Sequence, residues 1–382
     1  MNTVELLQRL INYPTVSRDS NLELIHFAAN YMEDLGAATS LVFNHDGNKA
    51  NLYAVFGPDE DGGVLLSGHS DVVPAEGQPW TREPFRAGIE KNRMYGRGAT
   101  DMKGFLASVL ATLPELKNRK LTKPLRVAFS YDEEIGCVGV RGLIDQLSEG
   151  GPRPEFCIIG EPTSMQPSIA HKGKTAGVCR CTGVASHSAL TDRGLNAIYL
   201  ATDMINQIRA LQKRIIEDGN QDHDYDVPYT TVHVGTIEGG TVVNIVPDQC
   251  RFGFEIRNLP GDDPDRLIER FNDAANSIVA QHRSRFADAN ISIEVTNQYP
   301  ALDTAADAAA VAYVKSMVRD DTHGKLAFGT EGGLFQQRLG LPVVVCGPGS
   351  MDQGHKPDEF VTLDQLNRCD VFLERVVRSM VA

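Results

Sequence analysis

Gly96-Arg97-Gly98-Ala99-Thr100-Asp101-Met102-Lys103-Gly104 is the stretch around which the rest of the chain is organised. Two glycines loosen the backbone just ahead of a lone carboxylate. Apolar residues then recur at helical spacing, at Phe105, Leu106, Val109, Leu110 and Leu113. The pattern predicts a turn entering a helix, with Asp101 near the helix N-terminus, where backbone N–H groups and the dipole favour negative charge. Taken alone, such an Asp reads as a helix cap. Its company elsewhere in the chain argues for more.

Three apolar runs of the kind buried on both faces of a sheet end in residues that carry chemistry. Residues 64–68 run into His69-Ser70-Asp71. Residues 125–130 end in Asp132-Glu133-Glu134, and residues 156–159 in Gly160-Glu161-Pro162-Thr163. In open α/β sheets ligands sit at the carboxyl ends of strands, so the recurrence outweighs any one cluster. A fourth predicted strand, 342–346, leads through Gly347-Pro348-Gly349-Ser350 to Gln353-Gly354-His355-Lys356-Pro357-Asp358-Glu359 and a final helix from Leu363.

Between these parts the rhythm changes. From about residue 175 the pattern predicts strand 176–181, helix 196–211, strands 230–237 and 250–258, helix 264–281 and strand 291–298. That is β-α-β-β-α-β, the ferredoxin-like order. The expectation is an α/β protein with a central mixed sheet flanked by helices, formed by a discontinuous domain 1–174 and 299–382. An α+β domain, 175–298, is inserted in it.

Composition bounds the function. The chain has 382 residues, 42% hydrophobic and 23% charged, with formal net charge −13. There is no basic tract, and the acidic excess repels phosphates, which argues against a nucleic-acid partner. The seven cysteines form no CxxC and no paired framework, and read as reduced thiols. The first residues lack the regions of a signal peptide, and no apolar run approaches a membrane span. The expectation is a cytoplasmic protein.

His69 and Asp71 lie two residues apart at a strand end, so their side chains share a side. Histidine is the commonest metal ligand, and the carboxylate suits a role holding the imidazole. Glu133 and Glu134 are adjacent and diverge, so one could bind an ion while the other works on water. The plain alternatives are a structural loop histidine and a solvated acidic surface. Together His69, Asp101, Glu134, Glu161 and His355 offer two histidines and three carboxylates, a set that suits two zinc-like ions bridged by one carboxylate. Two ions about 3.5–4 Å apart polarise a carbonyl and lower the pKa of bound water. An unliganded carboxylate must then take and return the proton, and Glu133 is available.

Gly68-His69-Ser70-Asp71-Val72-Val73-Pro74, Gly98-x-x-Asp101-Met102-Lys103-Gly104, Asp132-Glu133-Glu134, Gly160-Glu161-Pro162-Thr163 and Gly354-His355-x-Pro357-Asp358-Glu359 resemble an ordered family motif set. The family is that of the co-catalytic zinc deacylases and peptidases, which holds acetylornithine deacetylases, succinyl-diaminopimelate desuccinylases, aminoacylases and carboxypeptidases. The resemblance spans nearly the whole chain. It implies a zinc-peptidase-like catalytic domain with two divalent ions, Zn2+ or Co2+. One ion would take His69, Glu161 and a bridging Asp101; the other would take Glu134, His355 and the same Asp101. Glu133 would be the general acid/base and Asp71 the partner of His69. The family also implies a cis peptide after Asp101 and a homodimer formed through the inserted domain.

Within the insertion, Ala185-Ser186-His187-Ser188 resembles the family's Gly-His-Ser turn, with Ala185 in place of the usual glycine. In relatives this histidine reaches the other subunit's active site and stabilises the oxyanion. Asn244 and Arg257 match positions that contact the substrate carboxylate, and an Arg fork pairs bidentately with such a group. Thr330-Glu331-Gly332-Gly333-Leu334-Phe335 resembles the Thr-Glu-small-x-x-Phe stretch of the acetylornithine deacetylase branch, placing Glu331 and Gly332 at the substrate. A carboxylate there favours a side-chain ammonium and repels a succinyl group. Ala170-His171-Lys172-Gly173 points to the same branch, with a structural role for His171. The resemblance thus implies removal of the acetyl group from N2-acetyl-L-ornithine, giving L-ornithine and acetate in arginine biosynthesis. Two readings stay open: a related N-acyl-amino-acid deacylase or desuccinylase, and a non-catalytic binding protein on the same fold.

Overall fold

The computed structural model describes residues 1–382, which divide into two compact units: Met1–His171 with Leu302–Ala382, and Lys172–Ala301. The first is built on a mixed sheet. Its strands run in the order Ala38–Phe43, Ala50–Phe56, Leu125–Ser130, Val64–His69, Phe156–Pro162, Val343–Gly347, Ser168–His171 and Leu302–Asp303, with Gly324–Leu326 beside Ser168–His171. The strands of the central four, Leu125–Ser130 to Val343–Gly347, pair parallel to one another. Every residue of these four is buried, as their uninterrupted apolar runs require. Because they are parallel, their carboxyl ends lie together, and His69 stands level with Ser130.

Helices cover this sheet in two groups. Thr3–Ile11, Lys103–Thr112 and Leu363–Ser379 pack together, and Val140–Ser148 packs on Gly332–Leu339. Lys103–Thr112 is apolar nearly all round and almost wholly buried, as a helix in the centre of a large core must be. It lies against Phe156–Pro162 so closely that a Cβ at Gly160 would stand 2.0 Å from the Phe105 ring. A small three-stranded sheet of Gly88–Glu90, Arg93–Tyr95 and Phe360–Thr362 pairs Phe360 with Tyr95, joining the segment after His355 to the segment before Gly96.

The second unit is a four-stranded antiparallel sheet in the order Thr231–Gly239, Gln249–Asn258, Gly173–Thr182, Asn290–Tyr299. Helices Ala197–Asp218 and Pro264–Ala280 pack on it, completing the β-α-β-β-α-β order. Strand Gly173–Thr182 alternates buried and more exposed residues, the signature of a sheet covered on one face. Cys179 and Cys181 point into the core between sheet and helices, beside Phe252, Phe254 and Phe271. All seven cysteines are free and buried.

The structure departs from the sequence-based expectation in detail. Helix Ala197–Asp218 runs well beyond Leu211, because Ile215 continues its buried stripe through a mostly polar stretch. Strands Ser168–His171, Leu302–Asp303 and Gly324–Leu326 were not expected. They are short, and pairing across more than a hundred residues of chain makes them strands. No helix is long and apolar enough to cross a membrane.

The fit of Gly160 against Phe105 is testable. Gly160→Ala forces overpacking that costs about 1–3 kcal/mol or more, so the Tm should fall by several degrees in a thermal melt. Gly261→Ala, whose Cβ meets nothing within 4 Å, should melt like the parent chain. Equal melts for both variants would refute the contact.

Candidate metal centre and active site

The four parallel strands deliver the chemistry to one end of the sheet. His69 is the last residue of its strand, and Glu161 lies in the strand Phe156–Pro162 rather than after it. Glu133 and Glu134 follow strand Leu125–Ser130 through Asp132, whose φ of 52° turns the chain sharply. His355, also at positive φ, sits in the loop after Val343–Gly347. Asp101 comes from the glycine-containing turn. Gly98 takes φ 83° there, and a Cβ on it would lie 2.6 Å from Val72.

Asp101 does not cap its helix. The helix begins at Lys103, its N-cap is Met102, and no side chain bonds to the helix end. The Asp101 carboxylate is shared between two histidines instead. Oδ1 lies 3.1 Å from His69 Nε2, and Oδ2 lies 3.1 Å from His355 Nε2. His69 Nε2 is also 3.7 Å from Glu161 Oε1, and His355 Nε2 is 2.9 Å from Glu134 Oε2. The ligand atoms of His69, Asp101 and Glu134 lie within 4.8 Å of one another, as do those of His69, Glu133 and Glu161. Glu133, expected as a base rather than a ligand, thus stands in ligating range with His69 and Glu161, while His355 belongs to neither group. The Asp101–Met102 peptide is cis.

Asp71 organises the other side of His69. His69 Nδ1 meets the Asp71 backbone oxygen at 2.9 Å, which turns Nε2 inward. The Asp71 carboxylate accepts from Ser17 Oγ at 2.7 Å and from the Glu133 backbone N–H at 3.0 Å. One acid therefore fixes both a histidine and the Glu133 turn. Ser17 was not expected from the sequence, because 54 residues separate it from Asp71 and nothing local marks it. Nor was the buried Lys49–Asp132 ion pair, which anchors the acid preceding Glu133.

The electrostatics are those of an anion-rich pocket. Burial pushes Glu133 up to about 7, with His69 opposing and Glu331, Asp71 and Asp101 adding to the rise. Burial and the Asp101 charge push Glu134 up to about 8, against the pull of His355. Burial and Asp101 likewise hold Glu161 well above the usual carboxylate range. Burial opposes a charged His355, yet its hydrogen bonds to Asp101 and Glu134 lift it to about 10. Burial would raise Asp101, but the His355 and His69 hydrogen bonds hold it below its ordinary value. Asp101, Glu134 and Glu161 have only histidines as ion-pair partners. Several buried carboxylates facing two imidazoles call for cations, and this donor set fits divalent metal ions.

The other expected residues divide between the units. Glu331 is buried in the first unit, and neither of its oxygens makes a hydrogen bond. Burial pushes it up to about 7, with the nearby Ser130 hydroxyl and His69 opposing. Gly332 donates its N–H to Thr330 Oγ1 and opens helix Gly332–Leu339. His171 is fully buried and accepts from the Thr330 N–H. In the second unit, His187 is exposed and its Nδ1 accepts the Ala189 N–H, so a neutral ring carries its proton on Nε2. Asn244 is exposed next to the fully exposed Val243. Arg257 is half-buried and already paired with Glu255 at 2.6 Å and with the Tyr299 hydroxyl.

Residues 65–379 match peptidase family M20/M25/M40, and the chain belongs to that family of metallohydrolases. Among curated relatives, an acetylornithine deacetylase of Yersinia pseudotuberculosis is 34% identical over 372 residues, covering 94% of this chain and 92% of the relative. An M20 family metallo-carboxypeptidase from Sulfolobus solfataricus superposes with TM-score 0.79 at 19% identity, covering 99% of both chains. A Bacillus subtilis protein described as a dinuclear metal binding peptidase of the M20 family superposes with TM-score 0.70 at 16% identity, covering 99% and 97%.

Without ions, folded Glu133 and Glu134 hold protons up to about 7 and about 8, and His355 to about 10. All three values are raised, so the folded state binds more protons than the unfolded chain and stability falls as pH rises through this window. Chelator-treated protein should therefore lose Tm steadily from about pH 5 to about pH 9, and added divalent ion should flatten that slope. Calorimetry showing a rising Tm over the same range would contradict the arrangement.

Proposed function

We propose that this chain removes the acetyl group from N2-acetyl-L-ornithine, giving L-ornithine and acetate, with two divalent ions at the candidate centre. The observation that carries the reading is the Asp101 carboxylate, whose two oxygens serve two different histidines. In this proposal His69, Glu161 and Asp101 would hold one ion, and Glu134, His355 and Asp101 would hold the other. Zn2+ suits such ligands, and Co2+ is a second candidate. Bound ions supply a polarised amide carbonyl and a water acidic enough to lose its proton near neutral pH.

The chain's own groups do the rest. Glu133 takes the proton of the attacking water and returns it to the leaving amine. Its burial among neighbouring carboxylates favours the protonated form, as a group that takes up and returns a proton requires. Asp71 keeps the His69 ring and the Glu133 turn in place. The Nε2–H of His187, from a second copy of the chain, steadies the oxyanion, a task worth roughly 2.7–4 kcal/mol per donor. Asn244 and Arg257 receive the substrate carboxylate. The exposed apolar side chains Tyr199, Val242, Val243 and Ile245 support homodimerisation through the inserted unit, which then serves as dimerisation and lid domain. The setting is the cytoplasm, where arginine precursors are made.

Substrate choice rests on Glu331. A carboxylate buried without any hydrogen-bond partner is costly, and the side-chain ammonium of an ornithine derivative relieves it. A succinyl carboxylate would instead be repelled.

Two variants test the reading. Glu133→Ala should lose roughly 10²–10⁴-fold in turnover while metal analysis still finds two ions per chain. Near-normal hydrolysis would sink the assignment. Glu331→Gln should lower kcat/KM for acetylornithine at least about tenfold more than for acetylmethionine. Equal losses on the two substrates would make Glu331 a structural residue.

A further inference from the structure

One buried ion pair touches both loops that carry Asp101 and His355, and neither member is a candidate ligand. Glu359 and Arg97 are each 1% exposed and meet at 2.7 Å. Glu359 Oε1 accepts the backbone N–H groups of Thr100 at 2.9 Å and Asp101 at 3.2 Å. Its Oε2 accepts the Gly98 N–H at 3.1 Å as well as Arg97 Nη1. The Glu359 backbone oxygen accepts the Gly96 N–H at 2.9 Å. A single residue thus holds the turn from Gly96 to Asp101 by four of its N–H groups. The same pair reaches the other loop. Arg97 Nη1 also donates to the Lys356 oxygen, and Nη2 donates to Gln78 Oε1. Gln78 in turn donates to the His355 oxygen at 3.0 Å.

These bonds have a direction that ordinary core ion pairs lack. A carboxylate that only balanced Arg97 would have no reason to collect three backbone amides, one of them belonging to Asp101 itself. Gathering them fixes where the Asp101 Cα stands. The path through Gln78 and Lys356 fixes the His355 backbone, which sits at φ 60° in a loop with no regular structure of its own. We propose that Glu359, acting with Arg97, is a positioning residue that sets Asp101 and His355 at the separation a shared ion requires, and so governs ion affinity without touching an ion. The inference rests on the proposed bridging role of Asp101.

The test uses purified full-length protein, stripped with chelator and titrated with Co2+ while visible absorption and bound metal are followed. Glu359→Gln keeps the volume but turns an amide N–H2 toward the Gly98 N–H or Arg97. Glu359→Asp keeps the charge but is one methylene too short to serve all its partners. Each should weaken Co2+ binding by about tenfold or more. Turnover at saturating Co2+ should fall while KM for acetylornithine moves less than about threefold, since no substrate contact is removed. Leu373→Ala, at a fully buried leucine in helix Leu363–Ser379, provides a chain destabilised elsewhere and should titrate like the parent. A folded Glu359→Gln or Glu359→Asp chain with parental affinity and spectrum overturns the proposal, as does matching weakening in Leu373→Ala. Excess Co2+ should raise the folded fraction of a variant that folds poorly, by mass action, and failure of both variants to respond also overturns it. Parent protein binding fewer than two Co2+, or Asp101→Asn retaining both, would instead mark failure of the two-ion reading.

Discussion

Carboxylates do not gather in a protein interior unless something positive meets them, and this chain buries Asp71, Asp101, Glu133, Glu161 and Glu331 around a single histidine, His69. Burial works against a charged His69 ring, yet the hydrogen bonds to Asp101 and Asp71 and the charges of Glu161 and Glu133 keep its pKa well above the ordinary value. His355 adds a second imidazole from a more exposed position. The balance remains anionic. That imbalance is the constraint from which the rest of the site follows, because a set of this kind is tolerable only with protons or with cations. The match to peptidase family M20/M25/M40 is consistent with cations being the answer.

The scaffold explains how such a cluster can be held. Parallel strands buried on both faces give rigid, adjacent ends, and the loops leaving them need carry only a few residues to converge. Rigidity then passes outward through backbone contacts. Asp71 binds the Glu133 amide, Lys49 anchors Asp132, and Glu359 binds the amides around Asp101. Each of these acids is engaged by N–H or O–H donors. The acids that face the centre are not held in this way, and that contrast separates the groups that hold the site from those proposed to work in it.

Much of the candidate site was legible because strand ends carry local signals. An apolar run followed by His-x-Asp, Asp-Glu-Glu or Gly-Glu-Pro can be read without knowing the fold, and His69, Glu133, Glu134 and Glu161 from these runs lie near one another, whereas Asp132 turns to Lys49. Asp101 was more ambiguous, since a glycine-flanked acid before an amphipathic run has the same local pattern whether it caps the helix or faces inward. The helix starts two residues later, and only the positions of His69 and His355 decide between the readings. The burial of Glu331 with no partner was not foreseeable, because nothing about Thr-Glu-Gly-Gly distinguishes a surface turn from an interior one. The inserted unit was legible as a pattern of elements. Its edges and the true length of helix Ala197–Asp218 were not, as helix ends depend on what the last turn packs against.

By itself, then, the amino-acid order determined the longer helices and strands, the order of the two units along the chain and the chemical types available at each strand end. These are local properties, set by residue spacing, glycine and apolar periodicity. Tertiary structure decided which acids share a histidine, which are held by backbone amides and which are left without a partner. Those outcomes depend on contacts between residues far apart in sequence: 32 positions separate Asp101 from His69, and 258 separate it from Glu359. No local pattern encodes such distances, because only the folded chain brings those groups together.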